Sequence, residues 1–472
     1  MSLVAGVDSS TQSCKVVIRD SQTGLLVRSG RAAHPNGTEV DANAWFAALL
    51  EAIEAAGGLG DVEAVSIGGQ QHGMVLLDSA GRVIRKALLW NDTRSASTAQ
   101  ELIDHFGAQR LVELTGSVPV ASFTSTKVLW VLRNEPEIAA QVAAVCLPHD
   151  WLSWRLAGYG PEAESTLGPD LTKLTTDASD ASGTGYFNPV TGEYLDEIWQ
   201  FILGRVPVLP AVVEPGDWAF APNDKNSFGI ACGAGDNAAA ALGLGADVGD
   251  VVVSLGTSGT VFAVTDRAVA DATGTVAGFA SASGSFLPLV CTLNAARVMD
   301  SFAGLLAISH SELGELALQA PPGSDGVVVV PYFEGERTPN LPDATGAITG
   351  LTLANNTRPN LSRAAIEGML CGLADGFAVL AQHGVACKRI LLIGGAAANP
   401  AVQAIAAQVF GVDIVVPTAG EYVADGAARQ AAHALTGAAA NWNIELQGRV
   451  AGQAHPEILK QYHAALTALQ LR

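Results

Sequence analysis

The chain has 472 residues, enough for two or three domains with cores of their own, and 49% of them are apolar against 15% charged, a globular composition that excludes a disordered chain. Its 46 acidic and 26 basic residues leave a net charge of −20, so the surface repels nucleic acid and anionic membranes, while a nucleotide can still be held locally by Mg²⁺, backbone amides and helix N-termini. Cys14, Cys146, Cys232, Cys291, Cys371 and Cys387 form no C-x-x-C pair, no signal-like leader opens the chain and apolar runs stop short of a membrane span, so reduced thiols in a cytoplasmic protein are expected.

The first element is a hairpin. Ala5-Gly6-Val7-Asp8 reads as a strand, Ser9-Ser10-Thr11-Gln12-Ser13 as a tight loop of small hydroxyl residues, and Val16-Val17-Ile18 as the return strand. Small side chains let a row of backbone N–H groups approach an anion, and hydroxyls add donors. Asp8 ends the strand, where a carboxylate beside phosphates calls for a cation such as Mg²⁺; an Asx-turn is the other reading. Residues 44–56 then read as a helix with Asn43 as its cap, and 62–67 as a strand ending in Gly68-Gly69. Gln70-Gln71-His72-Gly73 and Leu89-Trp90-Asn91-Asp92-Thr93-Arg94 follow. Amides, an imidazole, a carboxylate and an indole are what a polyol site needs, although a lone His72 is as readily a structural residue. Residues 94–106 and 126–135 read as helices, and 158–186 as loops or short strands.

Ile230-Ala231-Cys232-Gly233-Ala234-Gly235-Asp236-Asn237 reads as an extended segment, a Gly-rich turn and a helix start that continues to Leu244. Asp236 is either the helix N-cap or, with Asn237 beside it, a projecting carboxylate whose pKa the helix N-terminus lowers, leaving it ionised to accept a proton. After a boundary near 245–250 the hairpin recurs: Val252-Val253-Ser254-Leu255, then Gly256-Thr257-Ser258-Gly259, then Val261-Phe262-Ala263-Val264, at an offset of 246 residues. Two such loops, one per half, suit a nucleotide enzyme of two related domains gripping a polyphosphate from both sides, where single copies would be ordinary hairpins. Further on, 326–330 reads as a strand, 362–383 as a long helix and 389–393 as a strand. Gly394-Gly395 leave bare backbone against which a planar ring can lie, and Asn399-Pro400 cap the helix 400–410, a pattern that a well-capped βα turn explains equally. A strand at 412–416, an Ala-rich helix at 424–435 and an amphipathic stretch with Ile458, Leu459, Tyr462, Leu466 and Leu469 close the chain. Alternating strands and helices give an α/β fold, and no G-x-x-x-x-G-K-[ST] is present.

The sequence resembles the FGGY carbohydrate kinases nearly end to end. The stretches that carry the likeness are Ser122-Phe123-Thr124-Ser125-Thr126-Lys127-Val128-Leu129-Trp130, Gly346-Ala347-Ile348-Thr349-Gly350-Leu351 and Asn360-Leu361-Ser362-Arg363-Ala364-Ala365-Ile366-Glu367. Gln71-His72-Gly73, Trp90–Arg94, Gly235-Asp236-Asn237 and Gly335-Glu336-Arg337-Thr338-Pro339 are closest to the family's xylulose-kinase branch; glycerol kinases carry an Arg-Glu pair in place of Gln71-His72. The resemblance implies two ribonuclease-H-like domains of the actin, sugar-kinase and heat-shock ATPase superfamily around a central cleft, spanning 1–245 for sugar and 246–436 for ATP, with a tail over 437–472. It implies Asp236 as general base, Asp8 near Mg²⁺, and Gln71, His72, Trp90, Asp92, Arg94 and Asn237 around the sugar. On the ATP side it implies Ser10, Thr11, Lys15, Gly256, Thr257, Ser258, Gly259, Gly394, Gly395 and Asn399. Ser10 and Ala396 stand where the family usually has Gly. The expected partners are a small sugar and ATP, with no nucleic acid or membrane, and a homodimer is compatible. The alternatives are a kinase for another ketose or polyol, and an ATP-driven switch protein of the same superfamily.

Overall fold

The computed structural model describes residues 2–223 and 227–471. Two compact units emerge, one of Met1–Ala246, Asp266–Leu287 and Gly420–Asn443, the other of Asp247–Thr265, Pro288–Ala419 and Ile444–Arg472.

The first unit is built on a mixed sheet of β1 (Leu3–Ser9), β2 (Ser13–Asp20), β3 (Leu26–Ala33), β4 (Val62–Gly69), β5 (Trp218–Phe220) and β6 (Gly229–Ala231), in the order β5-β6-β4-β1-β2-β3. Every residue of β1 is buried, the near-continuous apolar pattern of a strand covered on both faces. β2 returns antiparallel to β1 with Lys15 opposite Asp8, and β4 runs parallel to β1 with Gly68 opposite Asp8. The parallel step needs a crossover, supplied by the helix Ala42–Ala55. Its cap is Asp41, whose side chain accepts from Asn43 N, so Asn43 lies in the first turn, two residues past the cap, and is not the cap the sequence suggests. Within 158–186, read as loops and short strands, the structure adds a short helix, Ala178–Ala181, capped by Asp177.

The helix Tyr422–Thr436 packs on β1 and β4 in this unit, although the sequence reading assigned it to the C-terminal domain. The contact runs through residues without side chains. A Cβ on Gly6 would collide with the carbonyl of Ala424, one on Gly243 with that of Tyr422, and one on Gly426 with that of Ala239. Ser66 donates to Gln430 at 3.0 Å, Gln430 donates to Gly233 O at 2.8 Å, and Arg19 pairs with Asp425 at 2.6 Å. The segment after it stays in the same unit, with Trp442 Nε1 donating to Ser21 O at 3.1 Å.

The second unit repeats the sheet. Its strands are β7 (Asp250–Leu255), β8 (Gly259–Ala263), β9 (Phe286–Thr292), β10 (Arg389–Ile393), β11 (Ile414–Pro417) and β12 (Leu446–Val450), ordered β9-β8-β7-β10-β11-β12. From β7 outward the pairings are antiparallel to β8 and β9 on one side, and parallel to β10 and β11 then antiparallel to β12 on the other. The same senses surround β1 in the first unit, the ribonuclease-H-like arrangement. The long helix is Arg358–Gln382, starting before the expected Ser362 because Thr357 caps it and accepts from Asn360 N. It is long and apolar enough to cross a membrane, whereas the apolar runs of the sequence are expected to stop short of a span, but 67% of its most apolar window is buried, as in a core helix. The C-terminal helix Pro456–Ala468 buries Ile458, Tyr462 and Leu466. All six cysteines are free thiols, and four are buried.

Candidate active site

In the first unit, the loop between β1 and β2 is closed by Ser10 N donating to Ser13 O at 3.1 Å. Asp8 is buried, and its Oδ1 has no hydrogen-bond partner among the described residues. Lys15 lies 3.3 Å from its Oδ2 and 2.5 Å from Glu421. Burial raises the Asp8 pKa above the usual carboxylate range against the pull of Lys15. An orphaned buried carboxylate oxygen fits a cation.

Asp236 opens the helix Asp236–Gly243 at its first position, and the cap is Gly235. The N-cap reading of Asp236 is therefore corrected. Its Oδ1 accepts from Asn237 N at 2.8 Å and from Asn237 Nδ2 at 3.0 Å, so Oδ2 is the oxygen left to take a proton. The expected lowering of its pKa is also corrected: burial first, then the charge of Asp8, outweigh the donors at the helix start and push it up to about 7. A base must be ionised to act, so on the proposal that Asp236 is the base kcat/KM for the sugar should fall as the pH drops below about 7, by about tenfold per unit. Initial rates across pH 5–9, a range of roughly that width around the base, check this; a flat profile down to the ordinary carboxylate range contradicts it.

Asn237 Nδ2 also reaches Gln71 Oε1 at 3.4 Å, and Gln71 Nε2 donates to Ser179 O at 3.2 Å. Gln71 is buried, so it acts as a buttress joining Asn237, and through it Asp236, to the helix Ala178–Ala181. Ser179 Oγ supports the same strand end by accepting from Gly235 N at 3.1 Å. His72 Nδ1 lies 2.5 Å from Gly183 O. A carbonyl only accepts, so Nδ1 carries the proton and Nε2 is the acceptor of the ring. The ring stacks on Phe123 at 4.9 Å and meets Phe279 at 5.8 Å. Trp90 is exposed, and its Nε1 donates to Thr11 Oγ1 at 2.9 Å, which ties Thr11 to the Trp90 loop.

Asp92 and Arg94 are spent on each other. Asp92 accepts from Arg94 Nε at 2.8 Å, Arg94 N at 3.0 Å and Thr38 Oγ1 at 2.8 Å, while Arg94 also pairs with Glu39 at 2.9 Å and lies 5.2 Å over the Trp130 ring. Burial alone would raise the Asp92 pKa, but Arg94 and Thr38 hold it below the usual range. The pair clamps the Trp90 loop. Several supporting residues escape the sequence reading. Beneath Gly69 and Gly233 lies a buried ion pair, His149 Nδ1 to Asp180 Oδ2 at 2.6 Å, with Asp150 alongside. Lys127 and Thr124 stand behind His72. Lys127 is visible as the one charged residue between 120 and 132.

In the second unit, Leu255 and Gly259 pair across the loop between β7 and β8, and Thr257 and Ser258 at its tip are exposed. The start of the helix Ala296–Leu306 holds the loop, with Ala296 N donating to Gly256 O at 2.9 Å. Gly259 has no room for a side chain: a Cβ would lie 2.6 Å from both Leu373 and Thr292. Gly394 (φ 94°) follows β10 and packs against the Leu255 backbone, where a Cβ would lie 2.5 Å from its carbonyl oxygen. Gly394 and Gly395 form an exposed backbone shelf next to the hairpin loop. Asn399 is occupied at both ends, capping Ala401 N at 2.9 Å and donating to His310 O at 2.9 Å.

Residues 3–243 match the N-terminal domain of the FGGY family of carbohydrate kinases, and residues 251–435 match its C-terminal domain. The chain belongs to the FGGY family of carbohydrate kinases. It is an enzyme that transfers a phosphoryl group from ATP to a sugar. Among its relatives are the xylulose kinase of Streptomyces rubiginosus, 45% identical over 92% of this chain and 88% of that one, and the xylulose kinase of Escherichia coli, 34% identical over 90% and 89%. The crystal structure of xylulose kinase from Bifidobacterium adolescentis superposes with a TM-score of 0.92 at 46% identity, covering 98% of this chain and 99% of that one. Glycerol kinase from Plasmodium falciparum, solved with ADP, shares the fold at a TM-score of 0.85 and 20% identity, over 99% and 98%.

Proposed function

We propose that the protein phosphorylates D-xylulose on its terminal hydroxyl, giving D-xylulose 5-phosphate and ADP. The observation that carries this reading is the likeness, over about nine-tenths of the chain, to proteins named xylulose kinase. The Asp236 geometry supports it, because a half-buried carboxylate with a pKa of about 7 suits a base working near neutral pH. Oδ2 of Asp236 takes the hydroxyl proton. The sugar oxygen forms its bond to the γ-phosphorus as the bond from phosphorus to the β,γ-bridging oxygen breaks, and ADP leaves with that electron pair. Asn237 holds the base through Oδ1, Gln71 holds Asn237, and His72 Nε2 accepts from a sugar hydroxyl.

Trp90 offers the sugar a flat apolar face, steadied by Thr11. Asp8 would hold Mg²⁺, which when bound neutralises phosphate charge, while Ser10 and Lys15 on the same hairpin would face the phosphates of ATP. The loop Gly256–Gly259 offers backbone N–H groups and two hydroxyls to the phosphates, and Gly394–Gly395 a bare surface to the adenosine. Asn399 would shape that surface through its helix cap. Free thiols and a net charge of −20 suit a reducing cytoplasm. The test is the position of the phosphate. NMR of the product from D-xylulose and ATP should show phosphorus coupled to C5; a phosphate on C1, or ADP released with no sugar phosphate formed, contradicts the proposal.

A further inference from the structure

The peptide at His72 sits in the left-handed region, at φ 68°, a conformation that a non-glycine residue keeps only when its surroundings hold it. The holding is done from one helix, Thr124–Asn134. Lys127 Nζ donates to His72 O at 2.8 Å, and Thr124 Oγ1 donates to the same oxygen at 3.2 Å. Lys127 Nζ donates as well to Ser122 O, at 2.7 Å, which anchors the amine at the mouth of the helix. The other end of His72 is fixed by Gly183 O and by the Phe123 ring.

The cost of this arrangement points to a purpose. The Lys127 side chain is fully buried, and burial drives its pKa well below the usual lysine range. Its hydrogen bonds among the described residues end on two carbonyl oxygens and on no carboxylate. An amine buried with no carboxylate hydrogen-bonded to it, and only the more distant charge of Asp92 offsetting its burial, is a poor way to stabilise a core; an apolar chain of the same length would fill the space at less cost. What an apolar chain cannot do is hold a carbonyl in place. We propose that Lys127 is a positioning residue for the sugar: it fixes the left-handed peptide of His72 and thereby sets where the imidazole presents Nε2. This rests on the reading of His72 as a sugar ligand.

The experiment is a double-mutant cycle in the full chain, with Lys127→Met, His72→Ala and the pair, each measured for the KM of D-xylulose, the KM of ATP and kcat. Lys127→Met should raise the xylulose KM about tenfold and leave the ATP KM within about twofold. In the His72→Ala background it should add nothing, because the ring it aims is gone. Thr124→Val removes only the second donor without changing shape, so it should move the xylulose KM in the same direction by less. It serves as the first arm of the cycle if Lys127→Met does not accumulate as folded protein. Equal rises in both KM values, or effects additive with His72→Ala, overturn the positioning role while leaving His72 as a ligand. A xylulose KM that His72→Ala leaves unchanged overturns the reading of His72 itself, and the role of Lys127 with it.

Discussion

Asp236→Asn is expected to lower kcat with D-xylulose by about 10²–10⁴ and to leave the melting temperature at or above that of the unchanged protein. The amide can still accept from Asn237 through its oxygen, so the local hydrogen bonds at 2.8 and 3.0 Å survive. What it cannot do is take the hydroxyl proton. The stability expectation follows from the direction of the pKa shift. Asp236 titrates near 7 in the folded protein against an ordinary 3.8, so the folded state binds the proton more tightly than the unfolded chain. Ionising this group therefore costs stability as the pH rises from the ordinary carboxylate range through about 7. The neutral amide escapes that cost at alkaline pH. Steady-state kinetics and a thermal scan at one pH above 8, roughly a unit past the base, read both quantities. Turnover near that of the unchanged enzyme would mean that the base lies elsewhere, with Asp8 the next candidate.

Gly426→Ala should destabilise the protein by about 3 kcal/mol and lower the melting temperature by roughly 6 °C or more. The sign is the informative part. Inside an exposed helix, Gly→Ala stabilises by about 1 kcal/mol, because alanine loses less backbone freedom on folding. Gly426 lies inside Tyr422–Thr436, yet a Cβ there would collide with the carbonyl of Ala239 and lie 2.9 Å from the nitrogen of Gly243. Both belong to the helix that begins with Asp236, so the packing that excludes a methyl group also bears on the position of the proposed base. Differential scanning calorimetry decides it: a melting temperature that stays level or rises contradicts the contact.

These two sites mark where the sequence was readable and where it was not. The paired hairpins at Asp8 and Ser254 were legible because a buried central strand leaves a near-continuous apolar run, and a tight loop leaves small residues at its tip. The docking of Tyr422–Thr436 in the first unit was not. It depends on Gly6, Gly243 and Gly426 meeting backbone far away in sequence, in the way small residues let helices approach anywhere, and no local pattern encodes such a meeting. Asp236 was legible as a candidate base, but the direction of its pKa shift was not, since burial and Asp8 are tertiary facts. Asp92 and Arg94 are candidate ligands because polar residues cluster in that loop; their contacts with Glu39 and Thr38, which come from another strand and turn, are not legible in the loop itself. The left-handed peptide at His72 was invisible for the same reason, its cause being Lys127, on a helix and 55 residues later.

Coupled measurement of ADP release over D-xylulose, L-ribulose, D-ribulose, gluconate and glycerol tests the function most directly. D-Xylulose should give the highest kcat/KM, ahead of each of the others by at least about tenfold, which corresponds to about 1.4 kcal/mol in transition-state binding. Another of these substrates outperforming D-xylulose by that margin would contradict the assignment.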